Sequence, residues 1–182
     1  MPTVLAILAE GFEEIEASAP IDLLRRAGAD VTVAALGEGI HVTGRSGITL
    51  HADTTLTAVE AIGGRMFDCV FLPGGPGVKH LRADRRVREL ILRHHAADRW
   101  LAAICAAPVV LYEAGLLAGR RYTAHFSVAP ELADILEHER VVSDGRLLTS
   151  RGAGTAIDFG LLLVEKLISP DKAGEIRASI CA

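Results

Sequence analysis

The sequence is poor in aromatic residues and in long apolar runs, and each shortage excludes a class of protein. Aromatic residues make up 4% of the 182 residues and the formal net charge is -4. Neither stacking side chains nor a basic surface therefore indicates nucleic-acid binding. Pro108 and Glu113 interrupt the longest apolar stretch before it reaches the roughly 18 residues that a membrane span needs. The sequence therefore predicts neither a nucleic-acid partner nor a membrane partner.

Cysteine is also scarce, and the three that are present lack the spacing of a disulfide framework or a zinc site. Cys69, Cys105 and Cys181 are an odd number without a CxxC pair, which favours free thiols in a reducing cytoplasm. The start of the chain has no basic segment of the kind that precedes a signal peptide. No HExxH, phosphate-loop or complete dinucleotide motif occurs, so we expect no metal and no cofactor.

Half of the residues are hydrophobic, and they fall into apolar runs of strand length that alternate with helical periodicity. No Pro/Gly/Ser-rich linker or internal repeat divides the chain, so we expect one domain over residues 1–182. The alternation predicts an α/β fold with a mostly parallel sheet between helices. The predicted strands and strand-like stretches are Val4–Leu8, Asp30–Ala35, 41–51 (hairpin-like), Phe67–Leu72, Leu101–Ile104, 121–124 and 140–149. The predicted helices are 15–27, 84–97, 106–114, 154–168 and 171–178.

Cys105 lies where one of these strands runs directly into a helix. A chain that turns from strand to helix within about two residues tolerates only small neighbours, and Ala102, Ala103, Ala106 and Ala107 supply them. Such an elbow exposes its side chain at the top of an open sheet. The positive end of the following helix favours the thiolate form of a cysteine at this position. A buried, inert cysteine is the alternative, because the segment by itself contains no general base.

Three further loops follow apolar strands and would lie on the same rim of the sheet as Cys105. Glu10–Glu16 is an acidic loop whose carboxylates could simply stabilise the positive end of the following helix. Glu16, however, falls inside that helix, where it could exchange a proton with a thiol. Pro73–Gly77 could offer backbone amides to an oxyanion, or be an ordinary turn. His125 could act on a substrate or be a solvated loop residue. His94 and His95 are interpreted as part of an exposed helix face.

Taken together, these segments resemble the ThiJ/PfpI family, and most closely the branch that holds the human parkinsonism-associated protein and its bacterial counterparts. The resemblance spans nearly the whole chain, in order. The segments that carry it are Glu13-Glu14-Ile15-Glu16-Ala17, Leu72-Pro73-Gly74-Gly75, Ala102-Ala103-Ile104-Cys105-Ala106-Ala107-Pro108, His125 and Leu148-Thr149-Ser150-Arg151-Gly152-Ala153-Gly154-Thr155.

The resemblance implies a flavodoxin-like, class I glutamine amidotransferase-like three-layer sandwich that forms a homodimer. It also implies that Cys105 is an oxidisable nucleophile beside a protonated Glu16, with His125 nearby. Arg45 matches a basic residue that approaches the site across the dimer interface. The residues matched to the oxyanion-binding amides are Gly74, Gly75 and Ala106. Phe126 departs from the family pattern, in which a proline commonly follows the histidine, and this change could move the His125 ring.

On this basis the sequence suggests processing of small reactive 2-oxoaldehydes without a cofactor. Methylglyoxal would be converted to lactate by a glyoxalase III-type reaction, or removed from its protein adducts by deglycation. The alternative is a redox-sensing, chaperone-like dimer in which Cys105 is oxidised to a sulfinate. A flavin or nucleotide module is disfavoured because no loop suited to phosphate is present.

Overall fold

The computed structural model describes residues 1–61 and 65–182, and within them a sheet of seven strands lies between two layers of helices, beside a two-stranded hairpin. The strands are β1 (Thr3–Leu8), β2 (Asp30–Ala35), β3 (His41–Thr43), β4 (Thr49–His51), β5 (Thr54–Thr55), β6 (Cys69–Leu72), β7 (Trp100–Ile104), β8 (Val141–Asp144) and β9 (Leu147–Ser150). The helices are α1 (Glu14–Arg26), α2 (Leu56–Ala61), α3 (Val78–Ala83), α4 (Arg85–Ala96), α5 (Pro108–Glu113), α6 (Ala156–Leu167) and α7 (Pro170–Ser179).

The strand order of the large sheet is β5-β2-β1-β6-β7-β9-β8, and among the strands described only β8 runs antiparallel to its neighbour. The central strands are apolar on both sides because helices cover both faces. On one face Leu5 and Ile7 pack with residues of α2, α3, α4 and α5. On the other face Val4 and Ala6 pack with α1, α6 and α7. The predicted α/β sandwich is therefore confirmed.

Several element predictions needed correction. The strand expected at 121–124 is an irregular segment outside the sheet, and the Thr123 amide donates to the side-chain hydroxyl of Thr149 instead of to a neighbouring strand. The single strand expected at 140–149 is the β8–β9 pair, which turns at Gly145 with a φ of 57°. Helices α2 and α3, six residues each, were not predicted.

His94 was predicted on an exposed helix face, and the structure shows that this was wrong. Its side chain is fully buried. The Phe67 amide donates to Nε2 of His94 at 3.0 Å, and Nδ1 lies 2.8 Å from the carbonyl oxygen of Leu90. Burial lowers the pKa of His94, so the imidazole is a neutral core group. Among the described residues, no helix has the length and apolar character required to cross a membrane.

Candidate active site

The candidate site lies at the carboxyl ends of the central strands. Strand β1 pairs with β2 on one side and with β6 on the other. From β6 onward the strands are therefore added on the opposite side of β1, and a crevice forms at this reversal of strand order. The loops after β1, β6 and β7 meet at this crevice, as the sequence predicted. They surround a cavity of about 420 Å³ whose lining includes the predicted residues Glu16, Arg45, Gly75, Cys105, Ala106 and His125.

Cys105 occupies the predicted elbow between β7 and α5. Its φ of 65° lies in the left-handed region, which a non-glycine residue rarely adopts. Two backbone hydrogen bonds of 2.8 Å hold it there, from the Cys105 amide to the carbonyl of Ser150 and from the His125 amide to the carbonyl of Cys105. The surrounding structure thus maintains a strained backbone and turns the thiol into the cavity.

Glu16 lies in the first turn of α1, and 1% of its surface is exposed. The helix begins after Glu13, whose carboxylate accepts a hydrogen bond from the Glu16 amide at 2.8 Å. The Gly74 amide donates to Oε2 of Glu16 at 3.1 Å. A Cβ atom at Gly74 would contact both this oxygen and Cβ of Cys105, so the carboxyl and the thiol-bearing side chain are neighbours. Burial raises the pKa of Glu16 to about 7, and the nearby Glu13 carboxylate acts in the same direction.

The expectation of a lowered thiol pKa is wrong for Cys105 beside an ionised Glu16. Burial and then the Glu16 carboxylate raise the pKa of Cys105 to about 12, although the amides of Gly75 and Ala106 act to lower it. The helix that follows begins only at Pro108. Protonation of Glu16 removes the like charge and leaves the two amides to stabilise the sulfur. Cys105 and Glu16 are therefore best described as a pair that shares protons.

Gly74 is required at the contact between these two side chains. A Cβ atom at this position would lie 2.6 Å from Cβ of Cys105 and 2.9 Å from the carbonyl oxygen of Ile104, and it would clash with Oε2 of Glu16. Gly75 has a φ of 91°, which also favours glycine. Both glycines thus let backbone amides approach the pair.

We expect Gly74→Ala to destabilise the protein by about 1–3 kcal/mol, since overpacked sites cost that much. Gly154→Ala is a matched control from the neighbouring loop, because a Cβ at Gly154 meets no atom within 4 Å. Urea unfolding of both variants measures the difference. Equal unfolding midpoints would show that the site adapts to the added methyl group.

His125 completes the predicted group, although it follows an irregular segment and not a strand. Its Nδ1 lies 2.9 Å from the hydroxyl of Ser127 and accepts from the Ser127 amide at 3.2 Å. The Phe126 ring packs against the imidazole at 4.1 Å between centroids, and its side chain is largely exposed. Burial lowers the pKa of His125, and the positive charges of Arg151 and Arg45 lower it further.

Replacement of Arg151 by glutamine is expected to raise the pKa of His125, because one of the two facing cations is lost. Arg140→Gln is a suitable control, since Arg140 lies in the adjoining hollow but is paired with Asp158. An NMR titration of the His125 ring protons measures both variants. An unchanged His125 titration in Arg151→Gln would contradict the electrostatic interpretation.

Arg45 lines the cavity of its own chain, while its predicted contact across a dimer stays a prediction. The loop that carries it is held by Glu14, whose carboxylate accepts hydrogen bonds from the amides of Ser46 at 2.7 Å and Ile48 at 3.4 Å. Glu14 is 7% exposed. It therefore does more than compensate the helix dipole, because it fixes the loop beside the site.

Gly152 and Ala153 belong to the site, although the sequence analysis assigned them no role. A Cβ at Gly152 would lie 3.3 Å from Cδ2 of His125 and 4.0 Å from Sγ of Cys105. Ala153 lines the same cavity as Glu16 and Cys105. Their segment follows β9 at the carboxyl edge of the sheet, so the rule that selected the other loops would have selected this one as well.

Comparisons with known proteins agree with this architecture. The profile of the DJ-1/PfpI family matches residues 2–166. Protein DJ-1 homolog A of Arabidopsis thaliana is 39% identical over 176 residues, which cover 94% of this chain. The chain spans only 44% of the length of that relative.

Two other matches cover nearly all of both chains. Glutathione-independent glyoxalase DJR-1.2 of Caenorhabditis elegans is 33% identical over 177 residues, which are 94% of this chain and 91% of the relative. The structure of oxidized Toxoplasma gondii DJ-1 superposes with a TM-score of 0.93 at 36% identity, over 100% of this chain and 98% of the other. These matches confirm the predicted flavodoxin-like fold and the predicted family.

Proposed function

We propose, from the premise that the chain belongs to the DJ-1/PfpI family, that it converts 2-oxoaldehydes such as methylglyoxal to 2-hydroxy acids with Cys105 as the nucleophile. The observation that carries the proposal is the adjacent pair of Cys105 and Glu16, which line one cavity together with His125. A relative bears the name glutathione-independent glyoxalase, which supports a reaction without glutathione. The cavity of about 420 Å³ exceeds the volume of a three-carbon aldehyde.

The first step is addition of the Cys105 sulfur to the aldehyde carbon of the substrate. A bond forms between Sγ and carbon, the π bond of the carbonyl breaks, and Glu16 takes the thiol proton. The amides of Gly75 and Ala106, which stabilise negative charge on the sulfur, are proposed to donate to the new oxyanion. Glu16 then passes the proton to this oxygen, which gives a hemithioacetal and restores the Glu16 carboxylate.

The second step moves a proton between adjacent carbons. The Glu16 carboxylate or His125 removes the hydrogen from the carbon bonded to sulfur, which produces an enediol, and a proton is then returned to the neighbouring carbon. The product is a thioester of lactate. Water cleaves the bond between sulfur and carbon, which releases lactate and restores the Cys105 thiol. Each turnover consumes one water molecule and has no net redox change.

Lactate formation from methylglyoxal tests this proposal. The purified protein, freed of glutathione, should release many lactate molecules per chain. Less than one lactate per chain over several hours would contradict it. Parallel incubation with a methylglyoxal-treated peptide separates deglycation from scavenging of free aldehyde. An added aldehyde trap removes only the free aldehyde, so a protein that restores the peptide faster than the trap does acts on the adduct itself.

A second candidate function is redox sensing, with Cys105 oxidised by peroxide to a sulfinate and a chaperone-like dimer as the responding species. It is favoured by the buried Glu16 carboxyl, which in its protonated form could donate a hydrogen bond to a sulfinate oxygen. A structure in the same family is of an oxidized protein. Stoichiometry separates the two functions, because a sensor gains two oxygen atoms once whereas an enzyme turns over repeatedly.

Residues 1–182 are proposed to act as one domain and to associate as a homodimer. Ile15 and Ile48 support dimerisation because they are 53% and 57% exposed and lie on segments joined through Glu14. A dimer would let Arg45 act across the interface as well as in its own site. Sedimentation equilibrium measures the mass directly. A site that depends on a free Cys105 thiol fits a reducing compartment such as the cytoplasm.

A further inference from the structure

The β3–β4 hairpin carries two histidines that face each other away from the Cys105 cavity. His41 and His51 are directly opposite in the antiparallel register, and both are exposed. Their ring centroids are 4.7 Å apart, with an interplanar angle of 82°. Because side chains alternate along a strand, His41 and His51 are on the same face as Thr43 and Thr49.

Contacts along the hairpin show that this face is fixed. The hydroxyls of Thr43 and Thr49 lie 3.1 Å apart, whereas Val42 is directed to the other face and is 3% exposed in the core. The ends of both strands are anchored, since the Gly11 amide donates to the Thr43 carbonyl and the Ala52 amide donates to the Ile40 carbonyl. The backbone therefore brings the two imidazoles together before any ligand arrives.

The distance between the rings suits two imidazoles that bind one metal ion. A metal bound about 2.0–2.1 Å from an imidazole nitrogen lies roughly 3.2 Å from the ring centroid. Two centroids 4.7 Å apart then place the two metal–nitrogen bonds close to a right angle, as adjacent ligands of a tetragonal ion require. The rings now meet edge to face, and rotation of the exposed side chains directs one nitrogen of each toward a common point.

A cross-strand aromatic pair would by itself contribute only weakly to the stability of the hairpin. The two imidazoles also form a chelating pair of the ligand type that binds copper, nickel and zinc. No third histidine, cysteine or carboxylate joins them to form a larger cluster within residues 1–61 and 65–182. The other coordination positions of a bound ion would thus be filled by water, and the ion would be exchangeable.

We propose that His41 and His51 form a binding site for one divalent transition-metal ion, separate from the Cys105 site. Divalent copper is the preferred ion, because affinities of nitrogen sites rise from cobalt through nickel to copper and fall again at zinc. The site is at the open end of the hairpin whose loop carries Arg45. A bound ion would join β3 to β4 and stabilise the folded hairpin.

Copper titration of a Cys105→Ser, Cys181→Ser background tests the proposal, since this background removes the two thiols that are not fully buried. Calorimetry should show one ion per chain, and the electron paramagnetic resonance spectrum should show coupling to two nitrogens. His41→Gln and His51→Gln should each weaken binding at least about ten-fold, or about 1.4 kcal/mol, and remove one nitrogen coupling. His138→Gln, which changes another exposed histidine, should alter neither quantity.

Several results would overturn the proposal. Absence of binding in the background protein would do so, as would unchanged affinity in both His41→Gln and His51→Gln. Equal weakening by His138→Gln would indicate non-specific loading of surface histidines. One ion per two chains would assign the ion to a site between copies and contradict a site within one chain.

Discussion

Replacement of Cys105 by serine is expected to lower lactate formation from methylglyoxal by about 10³-fold or more, since losses of this size follow removal of a catalytic nucleophile. A serine hydroxyl is far less acidic than a thiol, and Glu16, with a pKa of about 7, is too weak a base to activate it. Steady-state kinetics of the purified variant measures the loss.

Cys181→Ser is the matched control for this substitution, because Cys181 is exposed near the end of the chain whereas Cys105 faces the cavity. It should leave the rate unchanged. If the Cys105→Ser variant retains more than about a tenth of the parent activity, this result alone would exclude Cys105 as the nucleophile.

Glu16→Gln is expected to reduce activity and increase stability. The glutamine keeps the shape of the side chain and an oxygen that accepts from Gly74, but it cannot take the thiol proton. We expect a loss of about 10²-fold or more in kcat, the usual contribution of a general base. Retention of full activity would show that another group accepts the proton.

The stability effect follows from the raised pKa of Glu16, which is about 7 in the folded protein against an ordinary value of 4.5. The folded state therefore binds more protons than the unfolded state between these pH values, and the parent protein loses stability as the pH rises through them. A glutamine at this position does not ionise, so the Glu16→Gln variant does not lose stability in this way as the pH rises. At pH values above 7 the variant should be more stable than the parent by up to about 3 kcal/mol, and the difference should disappear in acid.

Urea unfolding at a series of pH values measures this difference. Glu13→Gln is a suitable comparison, since Glu13 caps the same helix through the Glu16 amide but is not hydrogen-bonded to the thiol. It should lower stability slightly, because a neutral amide oxygen accepts the capping hydrogen bond more weakly than a carboxylate does. A Glu16→Gln variant that is less stable than the parent at every pH would contradict a destabilising buried carboxyl.

The sequence sufficed for the central strands of the sheet and for the loops that form the site, because both depend on local patterns. Apolar runs separated by helical periodicity identified the central strands, and the elbow at Cys105 followed from its small neighbours. Parallel strands bring their carboxyl ends to one edge. This rule placed Glu16, Gly74, Cys105 and His125 together, even though the strand expected before His125 does not form.

The errors concern properties that depend on three-dimensional surroundings. His94 is adjacent in sequence to exposed charged residues, yet the fold turns it inward to accept the Phe67 amide. The thiol pKa of Cys105 was expected to fall because of a helix terminus, whereas burial and the Glu16 carboxylate raise it. Neither burial nor the distance between two side chains from separate loops can be read from residue spacing.

The pH dependence of Cys105 alkylation tests most directly the claim that Cys105 and Glu16 share a proton. Iodoacetamide modification, followed for the Cys105 peptide by mass spectrometry, separates this thiol from Cys181. In the parent protein the pair of Cys105 and Glu16 loses one of its two protons near pH 7, the pKa of Glu16. The carboxyl and the sulfur share the proton that remains, so the alkylation rate should rise through a step at this pH. This step should be absent from Glu16→Gln. The same step in both proteins would contradict the account, since Cys105 would then ionise independently of Glu16.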